Sequence, residues 1–414
     1  MALTLDALRD AVSGGTAGIR ARFELEPLGG PGDKIAPPTY STPEAAPTKY
    51  AEETRRIAGV DVRCVSLNAV AAQANAMEET LLETVRAGRM TLPLVSVDFR
   101  ESEGLADLDR ISSLQAPHRI FDAILRDSLL GDQMFRMSPI GRAVTEASTR
   151  NAEALYRYSP TTLIFGGWDS TGPRGGRGAK YERALTSEIV GIGAIAGTRA
   201  GSRIDPLGIE LAGNTLYATE DNSWTLNEAE ARQDKGKPVL YTGSGEGAPG
   251  RPSQVNHGNV TPSLDARAGG VTVDRIEAIT VLSFIQLRRL GFPLNSSGEA
   301  LGERRREAEQ AARTALAALA LAAVTLSFEQ GFDLRSRCVL VPTADLEFDL
   351  VQRGNGGSTR FRLTGDEALS LTVEAVQAAA THGLAWQTDE VLLRPADRLV
   401  QLVRNSRPTA KGGV

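Results

Sequence analysis

Hydrophobic and polar residues alternate most regularly near the start of the chain. From residue 18 to residue 26 every second position is apolar, and charged side chains separate the apolar ones. A two-residue period predicts a strand with one buried face and one solvated face. Short apolar or alternating runs predict five more strands, at residues 90–99, 161–165, 337–341, 346–352 and 359–363.

Apolar residues at helical spacing predict the remaining elements. The clearest case spans residues 66–87, where an apolar stripe follows the capping residue Ser66 and ends before Gly88. Other helices are predicted at about residues 117–131, 179–190, 274–291, 303–330 and 366–381. Because strands and helices mix without strict alternation, the pattern favours the α+β class.

Residues 217–262 have the least regular pattern and are rich in glycine and proline. We interpret them as a long insertion in a single domain that spans residues 1–414. Two structures fit such a segment equally well, a protruding hairpin and a surface loop without regular structure.

Composition changes this picture mainly through charge. The chain is 41% hydrophobic and 23% charged, which is ordinary for a globular protein, but its net charge is -5. Any contact with nucleic acid therefore requires a local basic patch. Two distant cysteines and three histidines disfavour a disulfide framework and a structural zinc site. The start of the chain does not resemble a secretion signal, and the longest apolar run, 315–326, is too short to cross a bilayer. We therefore expect a cytoplasmic protein with no membrane partner.

Such a basic patch begins in the loop of residues 170–180, Ser-Thr-Gly-Pro-Arg-Gly-Gly-Arg-Gly-Ala-Lys. Its glycines let backbone N–H groups approach an anion, and the helix predicted to follow would add a favourable dipole. The cations of this region are Arg174, Arg177, Lys180, Arg183, Arg199 and Arg203. The loop lacks the Gly-Lys-Ser/Thr ending of a nucleoside-triphosphate loop, so a phosphodiester backbone is the better ligand. The alternative is a solvated flexible loop.

Further candidates for RNA contacts are Gln73, Asn75, His118, Arg119, Trp168, Ser170, His257 and Asn259. The tryptophan could stack on a base, although a lone tryptophan more often belongs to the core. The pair at 118–119 could contact RNA, form a salt bridge to another subunit or lie on a solvated helix face. The amides at 73 and 75 could bind a ligand or face solvent. The polar residues at 257 and 259 could bond RNA or stabilise a turn.

Known catalytic signatures do not occur in the sequence. It contains no GxSxG elbow, no HExxH helix and no recognisable metal-binding spacing of carboxylates. We therefore predict no enzymatic activity, no catalytic residue, no metal and no cofactor.

Several short motifs, taken in order, resemble one group of CRISPR proteins. The most specific is residues 159–170, Ser-Pro-Thr-Thr-Leu-Ile-Phe-Gly-Gly-Trp-Asp-Ser. The others lie at residues 37–40, 73–75, 116–119, 178–183, 202–208, 257–259 and 334–338. By these motifs the chain resembles the backbone subunit of type I-G (formerly I-U) Cascade complexes. That subunit belongs to the Cas-seven group of the RAMP superfamily.

The resemblance implies a ferredoxin-like, RRM-related core with large helical and hairpin insertions. It also implies that several copies form a helical filament along a guide RNA (crRNA), as a ribonucleoprotein of antiviral defense. Bases left free by the protein pair with target DNA, so base pairing reads the sequence. Other implied partners are the remaining Cascade subunits and a recruited helicase-nuclease, which does the cutting. Residues 217–262 are the candidate for a thumb-like insertion. Ala76 departs from the basic residue expected after the 73–75 motif.

Two other functions are weighed against this one. A metal-dependent RNA endonuclease, related to type III backbone subunits, would need an exposed catalytic aspartate, for which Asp169 is the nearest candidate. A small-molecule phosphate binder would use the basic loop to hold a nucleotide. The RNA-backbone role ranks first and the endonuclease second.

Overall fold

The computed structural model describes residues 3–43, 45–172, 179–210, 213–245, 247–354 and 356–407. The chain divides into two compact units. Unit 1 contains Met1–Tyr40, Tyr50–Ile195 and Val271–Arg404, and unit 2 contains Ser41–Lys49, Ala196–Gly270 and Asn405–Val414.

The described residues form ten α-helices, which are numbered in chain order. They are α1 (Leu5–Ser13), α2 (Val70–Arg86), α3 (Ala123–Arg126), α4 (Pro139–Glu146), α5 (Glu153–Tyr158), α6 (Pro160–Phe165), α7 (Phe284–Leu287), α8 (Arg305–Gln330), α9 (Gly365–Thr381) and α10 (Asp397–Ser406). Strands accompany them throughout both units, so the mixture of helices and strands expected for an α+β protein is confirmed.

The strands are likewise numbered in chain order. They are β1 (Thr16–Pro27), β2 (Glu52–Ile57), β3 (Val60–Asn68), β4 (Val95–Asp98), β5 (Arg110–Ser112), β6 (Ser128–Leu130), β7 (Gln133–Met134), β8 (Gly167–Trp168), β9 (Lys180–Tyr181), β10 (Leu185–Ile192), β11 (Ile195–Ala196), β12 (Arg199–Arg203), β13 (Tyr217–Ala218), β14 (Trp224–Thr225), β15 (Gln233–Asp234), β16 (Lys237–Pro238), β17 (Val260–Asp265), β18 (Val271–Thr272), β19 (Arg275–Ser283), β20 (Phe332–Arg335), β21 (Cys338–Pro342), β22 (Glu347–Gln352), β23 (Ser358–Arg362) and β24 (Val391–Pro395).

A nine-stranded sheet organises unit 1. Its strand order is β2-β3-β10-β19-β1-β21-β20, and β22 also pairs with β1 and with β23. The pairs of β1 with β19, of β10 with β19 and of β1 with β22 are all antiparallel. A separate five-stranded sheet has the order β5-β4-β24-β6-β7.

The inner face of the nine-stranded sheet carries the core. Alternate residues of β1 point inward, so Ile19, Phe23 and Leu25 are buried while the arginines between them are exposed, as their alternation in the sequence predicted. Helix α8 packs beneath, and every residue from Thr314 to Phe328 is buried. The helix has the length and hydropathy of a membrane span, but 94% of its apolar window lies inside the protein.

The outer face of the same sheet is polar and nearly balanced in charge. Cross-strand ion pairs join Arg22 to Glu277 at 2.9 Å and Arg55 to Glu188 at 2.8 Å. Arg362 pairs with Glu347 at 2.7 Å in the same way. Because these cations already have carboxylate partners, this face does not form the basic patch that nucleic-acid binding requires.

Several predicted elements are wrong, and each error has a local cause. Residues 161–165 form helix α6 instead of a strand, because complete burial removed the helical periodicity that would have identified it. Residues 179–190 form β9 and most of β10 instead of a helix. Residues 274–291 contain β19 and only the short α7, so the capping pattern of Asp274 and Glu277 was a coincidence.

Two other predicted helices have different bounds. Residues 66–68 complete strand β3, so α2 begins only at Val70. The helix expected at 117–131 is reduced to α3, because Arg119 has a left-handed backbone (φ 52°) and the chain then turns into β6. The predicted helices at 303–330 and 366–381 and the three C-terminal strands are confirmed, with ends shifted by one or two residues.

Short antiparallel strand pairs are the main regular structure of unit 2. Strands β12 and β17 pair into a two-stranded ribbon, and every residue of β12 is exposed. The irregular segment 217–262 contains the smaller hairpins β13–β14 and β15–β16. It therefore contains regular hairpin structure in its described residues, and its role as a thumb stays a prediction.

Phe328 offers a test of the core. Its buried ring lies 4.4 Å from the ring of Phe23 and 4.8 Å from that of Phe332. Replacing Phe328 by alanine should lower the free energy of unfolding by about 3–5 kcal/mol, because a cavity replaces these contacts. Urea denaturation followed by circular dichroism measures the change. The exposed Val373→Ala variant should change it by less than about 0.5 kcal/mol, and equal effects would contradict this view of the core.

Candidate nucleic-acid interface

A short hairpin brings an exposed aromatic ring and an exposed cation together. Strands β8 and β9 are antiparallel, and Trp168 stands directly opposite Lys180. Directly opposed residues project from the same face of a strand pair. Trp168 is 49% exposed, so the core position favoured for it from the sequence is wrong. Lys180, Arg183 and Ser170 are also exposed.

The cations of this region are arranged differently from the prediction. Lys180 begins a strand, so the helix dipole expected behind the loop does not exist. Arg183 is not one helical turn from Lys180; it packs instead against Gly166, where an added Cβ would lie 2.9 Å from Arg183 Cγ. Arg174 and Arg177 lie outside the described residues.

A buried ion pair supports the hairpin from below. Arg119 donates from Nε and Nη2 to the two carboxylate oxygens of Glu78, at 2.6 and 2.7 Å, and from Nη1 to the Gly166 carbonyl at 3.1 Å. The guanidinium also lies over the Phe165 ring. Gly166 has φ 84°, a conformation that favours glycine. Arg119 therefore positions the hairpin, and it is neither on a solvated helix face nor itself exposed.

The protonation of this pair is governed by opposing effects. Burial raises the pKa of the Glu78 carboxyl to about 7, while the charges of Arg119 and Arg183 act in the opposite direction. The bidentate geometry and the permanent charge of arginine favour an ionised carboxylate in this pair.

Two arginines whose contacts with the basic loop were not predicted from the sequence, Arg126 and Arg136, hold the first residues of that loop. Arg136 donates to the Asp169 carboxylate and, at 2.6 Å, to the Thr171 carbonyl. Arg126 reaches Thr171 Oγ1 at 3.4 Å. Both come from the segment before α4, and no sequence motif connects them to the loop. Asp169 is only 2% exposed and therefore is not the exposed aspartate that the endonuclease alternative requires.

The remaining candidates of unit 1 are divided between interior and surface. Gln73 is completely buried, and its Oε1 accepts a 2.6 Å hydrogen bond from Asn68, so the solvent exposure considered for it is wrong. Asn75 and His118 are exposed. Asn75 lies on α2, and the His118 backbone N–H is held by Asp122.

Unit 2 brings the candidate Arg203 close to two candidates that lie more than 50 residues later in the chain, His257 and Asn259. The buried Asp205 side chain accepts hydrogen bonds from the backbone N–H groups of Gly258 and Leu207 and lies 3.6 Å from His257 Nδ1. Asn259 Oδ1 accepts from the Asp205 N–H at 2.7 Å. Arg203 donates to the Gly258 carbonyl at 2.9 Å. The motifs at residues 202–208 and 257–259 are thus joined by hydrogen bonds, which the sequence alone could not show.

A small cavity opens beside the hairpin. It has a volume of about 280 Å³ and is lined by Lys180, Glu182, Gln286 and Arg289 among others. Arg289 pairs with Glu182 at 2.8 Å. The described residues contain no group of three or more His, Cys, Asp or Glu side chains that could hold a metal ion.

The fold and this site define a mixed α/β protein with an aromatic and cationic hairpin at its surface. Residues 19–196 match the family model described as CRISPR-associated protein GSU0053. The matched segment contains most of β1, α2 and the β8–β9 hairpin, and it is less than half of the chain. It shows that this segment is similar to a CRISPR-associated family. No curated protein matches the chain.

The Arg119–Glu78 pair can be tested by a double-mutant cycle. Arg119→Met should lower the free energy of unfolding by about 3–5 kcal/mol, because Glu78 would remain buried without its partner. Glu78→Leu combined with Arg119→Met should cost clearly less than the sum of the two single changes, since no uncompensated charge remains. Urea denaturation of the four proteins measures the coupling. Additive effects would contradict a direct interaction.

The Asp205 carboxylate provides a test of the contacts that hold unit 2 together. Hydrogen bonds from the backbone N–H of Gly258 and then of Leu207 hold its pKa below the usual range. Its contribution to stability is therefore present above the unfolded-state pKa of about 3.9 and is lost as the pH falls through the folded-state pKa. At pH 7, Asp205→Asn should speed proteolysis between β12 and β17, while the exposed Asp234→Asn should not. Equal cleavage rates for both variants would contradict this role.

Proposed function

We propose that this protein is the guide-RNA-binding backbone subunit of a type I-G Cascade complex. In this proposal several copies assemble along one crRNA and hold its sugar-phosphate backbone without reading its sequence. The observation that carries the proposal is the hairpin that places Trp168 opposite Lys180, with Arg183 exposed beside it. The CRISPR-associated family match agrees with it at a coarser level.

The chemistry of the hairpin suits single-stranded RNA. Every base has a π-face, so an exposed indole can stack on any sequence. Exposed lysine and arginine next to it would neutralise phosphates, which gives affinity that falls with salt. Because the sheet cations are already paired, the net charge of -5 does not exclude a basic patch at this hairpin.

The sheet topology supports a ferredoxin-like core as part of the proposal. The strand order β10-β19-β1-β22 is antiparallel throughout, and α2 and α8 lie in the chain between β1 and β10 and between β19 and β22. A split βαβ arrangement has this order of strands and helices. On this basis the β2–β3 strand pair, the five-stranded sheet and unit 2 would be additions to the ferredoxin-like core.

The exposed ribbon of β12 and β17 is the element of unit 2 that best fits a thumb. It is longer than the hairpins within 217–262 and carries two exposed apolar residues at one end, Ile204 (86%) and Leu207 (72%). The Asp205 hydrogen bonds hold these two residues on a defined turn. The proposed thumb would therefore include residues on both sides of the 217–262 segment.

We further propose that the chain does not cut RNA. Asp169 is buried and bonded to Arg136, which favours a structural role for that carboxylate. Target DNA would be reached through the guide, and the other Cascade subunits and a helicase-nuclease would complete the cytoplasmic complex.

An RNA titration tests the proposed site. Lys180→Ala combined with Arg183→Ala should weaken binding to labelled single-stranded RNA. It should also reduce the steepness with which the logarithm of the binding constant falls with the logarithm of the salt concentration, by about 1 for each phosphate that the variant no longer neutralises. Trp168→Ala should cost about 1–3 kcal/mol of binding energy, and Trp168→Phe should retain much of it, because a ring remains for stacking. Fluorescence anisotropy at several salt concentrations measures both effects.

The matched control is Arg304→Ala combined with Arg306→Ala, two exposed cations near the start of α8. It removes the same charge and should leave RNA affinity nearly unchanged. Unchanged affinity in the folded Lys180/Arg183 variant would contradict the site. Magnesium-dependent cutting of the RNA by the wild type, abolished by Asp169→Ala, would contradict the non-catalytic role.

A further inference from the structure

One carboxylate lies inside the candidate interface, where its charge would repel an RNA backbone. Asp169 directly follows Trp168, and its backbone N–H donates to the Ala179 carbonyl at 3.1 Å, next to Lys180. The residue therefore belongs to the hairpin that carries the proposed RNA contacts. Because like charges repel, attraction to phosphate does not explain an acid at this place.

Two groups enclose the Asp169 carboxylate, which is only 2% exposed. Arg136 donates to it from Nη2, and the arginine side chain is itself mostly buried. On the side of the loop, a Cβ added to Gly172 would lie 2.5 Å from Asp169 Oδ2. The carboxylate thus lies between the guanidinium and the loop backbone, in a space that only glycine leaves open.

The same arginine also holds the loop two residues further on. Arg136 donates from Nη1 to the Thr171 carbonyl at 2.6 Å and from Nη2 to Thr171 Oγ1 at 3.2 Å. Arg126 reaches that hydroxyl from Nη1 at 3.4 Å, and its Nη2 donates to Asp127 at 2.7 Å. Two guanidinium groups, each paired with a carboxylate, therefore converge on one residue of the loop.

Both arginines flank the β6–β7 hairpin of the five-stranded sheet. Arg126 is the last residue of α3, two residues before β6 begins, and Arg136 lies two residues after β7 ends. Strand β6 pairs with β24, which also pairs with β4. The planar guanidinium has a fixed arrangement of donors, so it transfers the position of the sheet to the loop more precisely than a lysine could.

From these contacts we infer that Asp169 is a positioning residue of the RNA site. It fixes Arg136, which holds the loop after Trp168 in the geometry that binds RNA. The carboxylate thereby increases RNA affinity, although its charge alone lowers it. The increase comes from preorganisation, because a loop that is already held in place loses less conformational entropy on binding. The inference rests on the proposed function and assigns the five-stranded sheet to the support of the interface.

Asp169→Asn in the full-length protein tests the inference by the sign of its effect. The change removes a negative charge beside the site, so electrostatics alone predicts tighter binding of single-stranded RNA. Loss of positioning predicts binding weaker by about tenfold, close to what one hydrogen bond to a charged group contributes. Thr171→Val leaves the charge unchanged and should weaken binding in the same direction, to a smaller extent. Fluorescence anisotropy gives the affinities, and urea denaturation identifies the variants that fold.

The matched control is Asp132→Asn, an exposed acid in the turn between β6 and β7. It loses the same charge and should bind RNA at least as tightly as the wild type. A second comparison combines Asp169→Asn with Trp168→Ala. In that background Asp169→Asn should no longer weaken binding, because the ring that it positions is absent and only the charge effect remains. A general structural effect would weaken both backgrounds equally.

The outcomes separate this inference from the proposed function. If the Lys180→Ala/Arg183→Ala protein loses affinity but Asp169→Asn binds RNA as tightly as the wild type or tighter, the positioning role is overturned while the RNA site stands. Equal losses with and without Trp168 also overturn it. If Asp169→Asn does not fold, unchanged affinity of Thr171→Val overturns it instead. If the wild type binds no RNA, the proposed function fails and the inference fails with it.

Discussion

The burial of α8 beneath the nine-stranded sheet is the constraint on which the rest of unit 1 depends. A helix whose residues 314–328 are all buried needs small apolar side chains on every face, and alanine fills most of these positions. Small side chains let α1, α2 and α9 approach it closely. The position of α2 follows from this packing, and α2 carries Glu78, the carboxylate beneath the candidate interface.

The Glu78–Arg119 pair connects that core to the surface. Its buried charges contribute little net stability, but their directional hydrogen bonds position the Gly166 carbonyl. Gly166 in turn leads into the strand that presents Trp168. A rigid support of this kind matters for a surface that binds a flexible polymer, because less conformational entropy is then lost on binding.

The distribution of charge explains how an acidic protein can hold a nucleic acid. The outer sheet face is neutralised by cross-strand ion pairs, and α9 contains acidic residues but no lysine or arginine. At the β8–β9 hairpin, Lys180 and Arg183 are exposed and form no ion pair within the part of the chain that the structure describes. The net charge is a sum over the whole chain, so it does not reveal the separate charges of these three surfaces. Electrostatic attraction falls off within about 10 Å at moderate salt, so each surface acts on its own neighbours.

The sequence by itself determined the elements whose patterns are local: the alternation of β1, the long apolar α8, the C-terminal strands and α9, and the exposed cations of the candidate site. Only the tertiary structure decided the rest. Residues 185–192 and 275–283 became strands because β10 and β19 pair with each other. Arg119 and Gln73 became interior, where they bond to Glu78 and Asn68. Arg136, Arg126 and the Asp205 cluster could not be predicted, since their contacts join distant segments. A local pattern of apolar residues indicates which face of a helix or strand is buried. Strand pairing and ion-pair partners depend instead on which distant segments the fold brings together.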